Sequence, residues 1–445
     1  MLSRRDFFKR GAQTGLAAAT TPLWSHLTSQ QAFGATSPST DYKAIILITL
    51  YGGNDGNNTL IPFDSVEYSQ YAKLRGAIAL NQGNCHALKS TGTDPTYGVH
   101  PSLPNVAKYY NNGQAMFVAN IGPLVQPATK AELHALPSLV PASLLSHTVG
   151  LQQWESSTTE QAPSSGWGGR IADIIASDSG RLPPILNASA DSLFTVGHSV
   201  QGIVIQSGGS AFPPLPVAMQ DTILRIAKND TVSKNAIVAQ AAQLRVTAMN
   251  EQQLLVQAQT AGPTLKAQFP NSPFGKELQA IAQVLSGKSV IGAKRQIFYV
   301  RQGSYDTHAH QLESQGGSLA DLDAGLDAMM QALEEMGLSQ SVLICTHSDF
   351  NRSMQSNVNL GSDHAWGNHH MILGGGISGG RIAGTMPALE LGGSSDLGTQ
   401  GIWIPTTSVT QMTAGIGLWM GLTNSQVTSV FPDLSRFPAG AVKLS

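Results

Sequence analysis

The chain has 445 residues, of which 12% are charged, about half of the roughly 25% that is typical of soluble proteins. Its 26 basic and 28 acidic residues give a net charge of −2, without the basic excess of nucleic-acid-binding proteins, so we expect no nucleic-acid partner. The length allows one large domain or two ordinary ones, and the 41% of hydrophobic residues exclude both a disordered chain and a multi-span membrane protein.

The first segment has the pattern of an export signal. Arg4 and Arg5 are followed by aromatic residues and a lysine, as in twin-arginine signals. The weakly apolar stretch behind them, at 11–24, is too short and too polar for a stable transmembrane helix. We expect residues 1–35 to be a signal peptide that engages the twin-arginine export machinery. The mature chain is then periplasmic or secreted and has no membrane span.

From about residue 41 to the end, apolar runs alternate with helical patterns, which indicates an α/β fold. The run KAIILITLY at 43–51 is continuous and rich in β-branched residues, as in a strand that is covered on both faces. Leu and Met recur at helical spacing over 319–336, between strand-like runs at 296–300 and 342–346, which predicts a parallel crossover. Further short strands are predicted at 115–120, 202–206 and 371–373.

The middle of the chain differs in composition from the rest. Residues 217–287 are rich in Ala, Gln and Leu, with prolines that interrupt the helical pattern. We interpret this segment as a helical insertion on the α/β core. The core and the insertion together form one domain that spans 41–445.

Histidines and aspartates concentrate around the ends of the predicted strands. Six of the twelve histidines lie within 306–370. They follow the strand-like runs at 296–300 and 342–346, or precede the run at 371–373, and the carboxyl ends of parallel strands are where ligands bind in open α/β sheets. Carboxylates and imidazoles there predict a divalent cation such as Zn²⁺, Mn²⁺ or Mg²⁺. The candidate ligands in this segment are Asp306, His308, His310, Asp349 and His364.

Three other segments carry polar groups of interest. Asp55 follows the first strand in the motif GGNDGNN, which fits both an ordinary turn and a ligand that reaches the same cluster. The pair Ser146-His147 is by itself a weak signal for a nucleophile. Arg170 lies in the glycine-rich motif GWGGR.

Taken in order, the motifs resemble an exported bacterial family. They are the twin-arginine signal, GGNDGNN, SHTVGLQQWE, GWGGR, YDTHAHQ, SDFNR and SDHAWGNHHMILGGG, and the resemblance extends from about residue 43 to the end. The family is that of domain of unknown function 1501, which resembles a branch of the alkaline phosphatase and sulfatase superfamily. The resemblance implies a mostly parallel sheet flanked by helices. It also implies a metal-dependent hydrolase of phosphate or sulfate esters, whose partner is a small-molecule or polymer ester.

The resemblance further implies a role for each candidate ligand. Asp55 matches the ligand after the first strand, Asp306 with His310 matches an Asp-x-x-x-His element, and His308 is the position that the narrower family shares. Asp349 matches the Asp of an Asp-His pair, and His364 matches the final His of the pattern. One or two divalent ions are therefore expected.

The catalytic roles are also implied by the resemblance. Ser146 is the candidate nucleophile, activated by a cation, and Arg170 or Arg352 are candidates for holding the equatorial oxygens of the reacting group. The chain departs from the pattern at Phe350, which stands where the Asp-His pair requires His.

Two interpretations of Phe350 at this position remain open. The first is that one of three other histidines replaces the missing ligand; these are His347, His369 and His370. The second is that one metal site is weak or absent. The missing histidine also favours an alternative function, that of a non-catalytic periplasmic or secreted binding or assembly protein with a degraded metal site. A metal-dependent hydrolase of non-phosphate esters is a third possibility.

Overall fold

The structure is a computed structural model that describes residues 42–89, 96–189, 191–205 and 217–444. The predicted signal peptide at 1–35 lies outside these residues, so its assignment stays a prediction. Among the residues that the structure describes, no helix is both long and apolar enough to cross a membrane.

Strands and helices alternate along most of the described chain. The strands are β1 (Lys43–Leu50), β2 (Leu60–Pro62), β3 (His86–Ala87), β4 (Tyr97–Val99), β5 (Ala115–Gly122), β6 (Ile185–Asn187), β7 (Ile203–Val204), β8 (Arg295–Gln302), β9 (Val342–Ser348), β10 (Asn351–Ser356), β11 (Ser362–Ala365), β12 (Asn368–Gly374), β13 (Ile382–Ala383) and β14 (Thr407–Ser408). The α-helices are α1 (Gly56–Thr59), α2 (Ser65–Arg75), α3 (Pro104–Asn111), α4 (Lys130–Ala135), α5 (His147–Ser156), α6 (Trp167–Ile175), α7 (Val217–Asp230), α8 (Ala236–Ala261), α9 (Pro273–Ser286), α10 (Lys288–Ile291), α11 (Gln311–Glu335), α12 (Val409–Met420) and α13 (Asn424–Val430).

A large central sheet organises the molecule. Its strand order is β13-β5-β12-β9-β1-β8-β6-β7, and β14 also pairs with β5. The central strand β1 pairs in parallel with β8 and with β9, whereas β12 runs antiparallel to both β9 and β5. The predicted fold class, an α/β fold with a mostly parallel sheet flanked by helices, is confirmed.

The central strand β1 is apolar at nearly every position because both of its faces are covered. Ile46 and Ile48 belong to the core that includes α9 and α11, whereas Ile45 and Leu47 belong to the core that includes α6 and α12. A strand that is buried on both faces cannot show the alternation of a half-exposed strand. This is why β1 appears in the sequence as one continuous apolar run.

The segment 217–287 forms the helices α7, α8 and α9, as the composition indicates. Leu278, Ile281 and Leu285 of α9 are fully buried in the core on one face of the sheet. By contrast, Met219 and Ile226 of α7 are about half exposed. The helix α9 therefore belongs to the layer that covers the sheet. The proposed boundaries of the domain and of the insertion stay predictions.

Three neighbouring parallel strands end side by side. Leu50 of β1 is in register with Gln302 of β8 on one side and with Ser348 of β9 on the other. The segments that follow these strands therefore emerge at the same edge of the sheet. This edge carries the polar residues described next.

Candidate metal centre

Two histidines and one aspartate converge at the carboxyl ends of β1, β8 and β9. One ligand atom from each of His147, Asp306 and His364 lies within 4.8 Å of the other two. His147 Nε2 is 3.7 Å from Asp306 Oδ2, and His364 Nε2 is 3.9 Å from Asp306 Oδ1. Imidazole nitrogens and a carboxylate oxygen at this spacing are suited to a divalent cation.

The two histidines are oriented through their other ring nitrogens. His147 Nδ1 donates to Asp349 Oδ2 at 2.7 Å, and His364 Nδ1 donates to the carbonyl oxygen of Leu145 at 2.8 Å. These bonds place the remaining lone pair on Nε2, the atom that faces Asp306. Histidines that bind metals usually donate their second N–H to a carboxylate or a backbone carbonyl in this way. The arrangement therefore fits two imidazole ligands to a cation.

A third histidine adjoins the cluster. His308 Nε2 is 3.2 Å from Asp306 Oδ1 and 3.0 Å from His364 Nε2. Its Nδ1 lies 3.3 Å from Asp363 Oδ1, a carboxylate that can fix its tautomer. Because a catalytic zinc site commonly has three protein ligands and one open position, His308 can either complete the ligand set or stand beside it.

The charge of Asp306 is set by a buried arginine. Arg352 is fully buried and donates through Nη2 to Asp306 Oδ1 at 2.5 Å. Partial burial by itself would raise the pKa of Asp306, but the hydrogen bond and charge of Arg352 lower it below its usual value. Burial also lowers the pKa of His364. At neutral pH Asp306 is thus ionised and His364 is neutral, the forms that bind a metal.

Asp55 lies at the same edge of the sheet but faces other partners. Its carboxylate forms a fully buried ion pair with Arg75 and accepts a hydrogen bond from Gln311. Asp55 Oδ1 also accepts from the backbone N–H groups of Asn57 and Asn58, at 2.9 Å and 3.3 Å, and so caps α1. Among the described residues, Asp55 does not belong to the cluster of His147, Asp306 and His364 that could hold a metal ion.

Two other predicted site residues also lie away from the cluster's ligand atoms. His310 is exposed and adopts a left-handed backbone conformation (φ 48°) directly before α11. Arg170 donates to the carbonyl oxygens of Ser156, Ser165 and Val430, and burial lowers its pKa to about 10. Arg170 therefore ties the end of α5 to the end of α13.

The candidate nucleophile stands between two residues that contact the cluster. Ser146 precedes α5, and its side chain makes no capping hydrogen bond. Its predecessor Leu145 accepts the hydrogen bond from His364, and its successor His147 is one of the three clustered residues. The positive end of the α5 dipole also lies here, which favours a negatively charged group. The backbone thus holds Ser146 next to the cluster.

Phe350 packs directly against the imidazoles. Its ring centroid is 4.7 Å from that of His147 and 4.2 Å from that of His364. None of the three histidines that the sequence offered as replacements takes part in the cluster. His347 contacts Thr49 Oγ1 at 2.5 Å, His369 Nδ1 accepts from the backbone N–H of Asn120, and the ring of His370 packs against Trp154.

Burial keeps the core histidines neutral. It lowers the pKa of His347 to about 3 and that of His369 to about 4. Burial, together with the neighbouring His347 and His369, also lowers the pKa of His370 well below its usual value. These side chains are almost completely inaccessible. They therefore act as polar members of the core.

The structure brings together some of the predicted site residues and adds one that the sequence reasoning missed. Asp306, His308, His364 and, through His147, Asp349 lie together. The sequence offers His147 only as the neighbour of the candidate nucleophile Ser146, and the structure shows that it begins the helix α5. Its position directly after a candidate nucleophile is the signal that could have identified it.

The cluster opens directly to solvent. The side chain of Asp306 is 51% exposed. A separate cavity of about 470 Å³ is lined by other residues, among them Asn57, Tyr71 and His369, and by none of the residues of the cluster. A substrate would therefore reach the cluster from the surface.

Residues 42–431 match the family described as "Protein of unknown function (DUF1501)". The chain belongs to this family. The predicted membership in DUF1501 is therefore confirmed. No curated protein matches the sequence of this DUF1501 member.

Solved structures similar to this DUF1501 protein include a lipoteichoic acid synthase, a sulfatase and a phosphonate monoester hydrolase. The lipoteichoic acid synthase LtaP from Listeria monocytogenes is 8% identical with a TM-score of 0.33, and the match covers 91% of this chain and 79% of that one. The PsFucS1 sulfatase from Pseudoalteromonas sp. is 9% identical with a TM-score of 0.34, and the match covers 83% of this chain and 69% of that one. The phosphonate monoester hydrolase of Agrobacterium radiobacter is 12% identical with a TM-score of 0.35, and the match covers 86% of this chain and 74% of that one.

Proposed function

We propose that this DUF1501 protein is an exported, metal-dependent hydrolase of phosphate or sulfate esters. His147, Asp306 and His364 would hold the cation, with His308 as a further ligand. The observation that supports the proposal most strongly is the orientation of His147 and His364, whose Nδ1 atoms are bonded so that both Nε2 atoms face Asp306. Two orientated imidazoles next to an ionised carboxylate have the chemistry of a metal site.

Each residue around the cluster has a distinct part in the proposed reaction. A divalent cation, when bound, supplies a Lewis acid that stabilises negative charge on the ester oxygens. The hydroxyl of Ser146, held by the backbone beside His147, would attack the phosphorus or sulfur and lose its proton to solvent while the alcohol of the ester leaves. Water would then cleave the seryl ester and release phosphate or sulfate. The first turn of α5 would present its N–H groups to the anionic oxygens. Arg352 would keep Asp306 ionised and in place through its buried hydrogen bond.

Two substitutions test the metal and nucleophile roles separately. Asp306→Ala should abolish stoichiometric zinc or manganese in the purified mature chain. Ser146→Ala should keep the metal but lose turnover. Metal content is measured by mass spectrometry. Turnover is measured on phosphomonoesters, phosphodiesters, sulfate esters and acyl esters with Zn²⁺, Mn²⁺ or Mg²⁺ added.

The screen also distinguishes the proposed chemistry from its competitors. Full activity of Ser146→Ala would contradict the assignment of Ser146 as the nucleophile. Metal retained by Asp306→Ala would contradict the proposed metal site. Turnover of acyl esters alone would identify a hydrolase of non-phosphate esters. Thr158→Ala is a matched control, since Thr158 bonds to Asp433 away from the cluster.

A second function is favoured by the packing around Phe350. The ring fills the space beside His147 and His364, and Asp55 is neutralised by Arg75. Both features reduce the ligands available for a second cation. A periplasmic or secreted binding protein with one metal would show stoichiometric metal and no turnover of any ester in the screen.

The export route is tested at the signal itself. Replacing Arg4 and Arg5 together by Lys should retain the precursor in the cytoplasm, because the pair is recognised by the export receptor. Cell fractionation with an antibody against the mature chain measures the distribution. Export that continues unchanged would contradict the twin-arginine assignment.

A further inference from the structure

One partly buried arginine near the cluster lacks the partners that its counterparts have. The buried or partly buried arginines of the described chain are Arg75, Arg170, Arg295, Arg301, Arg352 and Arg381. All but one of them donate through the guanidinium to backbone carbonyls or carboxylates. Arg301 is the exception: within the described ranges its guanidinium has no hydrogen bond and no ion pair, and it lies over an aromatic ring. Its donors are therefore available to a ligand.

Arg301 lies on the edge of the sheet where the cluster forms. It is the second-last residue of β8, in register with Thr49 of β1, and Asp306 follows a few residues later. Alternation along β8 gives Arg301 the same sheet face as Tyr299, which contacts Glu155 of α5. Arg301 thus emerges beside the helix that carries His147.

An exposed tyrosine connects Arg301 to the cluster. The guanidinium carbon lies 4.7 Å from the centroid of the Tyr51 ring, and that ring is 6.4 Å from the ring of His147. Tyr51 is 38% exposed. This contact with the ring restrains the guanidinium, whose planar set of N–H donors matches the geometry of a carboxylate, sulfate or phosphate group.

Glu277, an acidic group whose charge interacts with Arg301, does not neutralise Arg301 fully. Glu277 accepts a hydrogen bond from Ser189. Burial raises the pKa of Glu277 to about 7, against the lowering effects of Ser189 and Arg301. Near neutral pH a large fraction of Glu277 is therefore protonated. The positive charge of Arg301 remains available at the edge of the site.

We propose that Arg301, stacked on Tyr51, binds a second oxyanion of the substrate. The inference rests on the proposed function, and it names the substrate class: an ester that carries a further carboxylate, sulfate or phosphate group beside the group that reacts at the cluster. Arg301 is then a specificity-determining residue. Charge-assisted hydrogen bonds to arginine are strong and frequently bidentate, so this contact should discriminate between singly and multiply anionic esters.

Matched pairs of esters test the inference. The zinc-loaded protein is assayed with phenyl phosphate against 4-carboxyphenyl phosphate, and with phenyl sulfate against 4-carboxyphenyl sulfate. We expect kcat/KM to be about tenfold higher for the carboxylated member of the hydrolysed pair, the effect of one charge-assisted hydrogen bond. Arg301→Gln should reduce this ratio to about one. Arg301→Lys should keep part of it, because it retains the charge without the planar fork.

A binding measurement separates this inference from the proposed function. Benzylphosphonate and 4-carboxybenzylphosphonate cannot be hydrolysed, and calorimetry measures their affinities for the zinc-loaded protein. The subsite is supported if the wild type prefers the carboxylated compound and Arg301→Gln removes this preference. This conclusion holds even if no ester is turned over, and in that case only the proposed function fails. Hydrolysis of phenyl esters with an equal preference in wild type and Arg301→Gln overturns the subsite alone.

The control is an arginine far from the cluster. Arg225 is exposed on α7, so Arg225→Gln removes the same charge from the chain without touching the edge of the sheet. It should keep the wild-type ratio in both measurements. A ratio that falls equally in Arg225→Gln and Arg301→Gln would reveal a general charge effect and would overturn the assignment to Arg301.

Discussion

At the scale of single residues, Asp349 illustrates how a buried carboxylate can act on a site through another side chain. It accepts the Nδ1 proton of His147 at 2.7 Å and a hydrogen bond from the backbone of Gly52. Burial raises its pKa, and its bond to His147 opposes that effect. Asp349 therefore orients His147, and His147 in turn faces Asp306.

Asp349→Asn should weaken metal binding without abolishing it. Loss of a partner that orients a metal-ligating histidine typically reduces affinity about 10–100-fold. Competition for Zn²⁺ with a coloured chelator measures the change. Asp433→Asn is the control, since Asp433 pairs with Arg436 on another part of the surface. Equal zinc affinity of Asp349→Asn and the wild type would contradict the orienting role.

The pair of Asp55 and Arg75 leads to a different prediction. Both side chains are fully buried, and Arg75 also donates to Asn58 and to the carbonyl oxygen of Ser353. Arg75→Met should reduce the free energy of unfolding by about 3–5 kcal/mol, because it leaves the buried charge of Asp55 without compensation. Adding Asp55→Asn to this variant should restore part of the loss. Urea denaturation monitored by circular dichroism measures both changes.

The same pair allows a test of whether Asp55 binds the metal. Since the carboxylate of Asp55 faces Arg75 and Gln311, Asp55→Asn alone should keep the wild-type metal content. Loss of the metal in a folded Asp55→Asn protein would show that Asp55 is a ligand, as the family resemblance implied. Single residues of this kind were hard to assign from sequence, because nothing in the motif GGNDGNN reveals that Arg75 is its partner.

At the scale of elements, the position of α5 depends on one glycine. A Cβ atom at Gly150 would lie 2.6 Å from the carbonyl oxygen of Asp349, so a larger residue would push α5 away from the end of β9. The helix begins with His147, and its displacement would move this imidazole away from Asp306. Packing of a helix against a strand end is thus coupled to the geometry of the cluster.

A pair of glycine substitutions tests this coupling. Gly150→Ala should lower the free energy of unfolding by about 1–3 kcal/mol, as overpacking does, and should also weaken zinc binding. Gly317→Ala is the matched control, because an added Cβ there meets no neighbouring atom. In the middle of α11 it should raise the free energy of unfolding by about 0.5–1 kcal/mol. A Gly150→Ala protein as stable as Gly317→Ala would contradict the close approach.

Most of the central elements could be predicted from the sequence, for a physical reason. The strands β1, β5, β8 and β9 are buried on both faces, so each leaves a continuous apolar run that local pattern reveals. The contribution of α5 could not be deduced in the same way. The apolar pattern of α5 is weak. The position of this helix depends on the close approach of Gly150 to Asp349, two residues that are far apart in the chain.

At the scale of the whole molecule, the candidate site joins three distant parts of the chain. His147 begins α5, Asp306 follows β8, and His364 lies in β11. The rule that parallel strands bring their carboxyl ends to one edge predicts the neighbourhood of Asp306 and Asp349, but not which other segments close over that edge. The antiparallel strand β12 and the hairpin of β10 and β11 before it bring His364 there. Their course is a tertiary property that no local motif encodes.

This arrangement predicts that metal binding stabilises the entire fold. Because the three ligands are far apart in an unfolded chain, the cation should bind the native state preferentially. It should then add about 2.7 kcal/mol to the free energy of unfolding at a hundredfold excess over its dissociation constant. The melting temperature, measured by calorimetry, should rise with Zn²⁺ and return to its starting value with a chelator. Asp306→Asn should lose this rise, whereas Asp433→Asn should keep it. A zinc-dependent rise in melting temperature of the same size in Asp306→Asn would mean that the stabilising zinc binds elsewhere, for example at exposed histidines. The residues from α5, from the loop after β8 and from β11 would then not act as one metal centre.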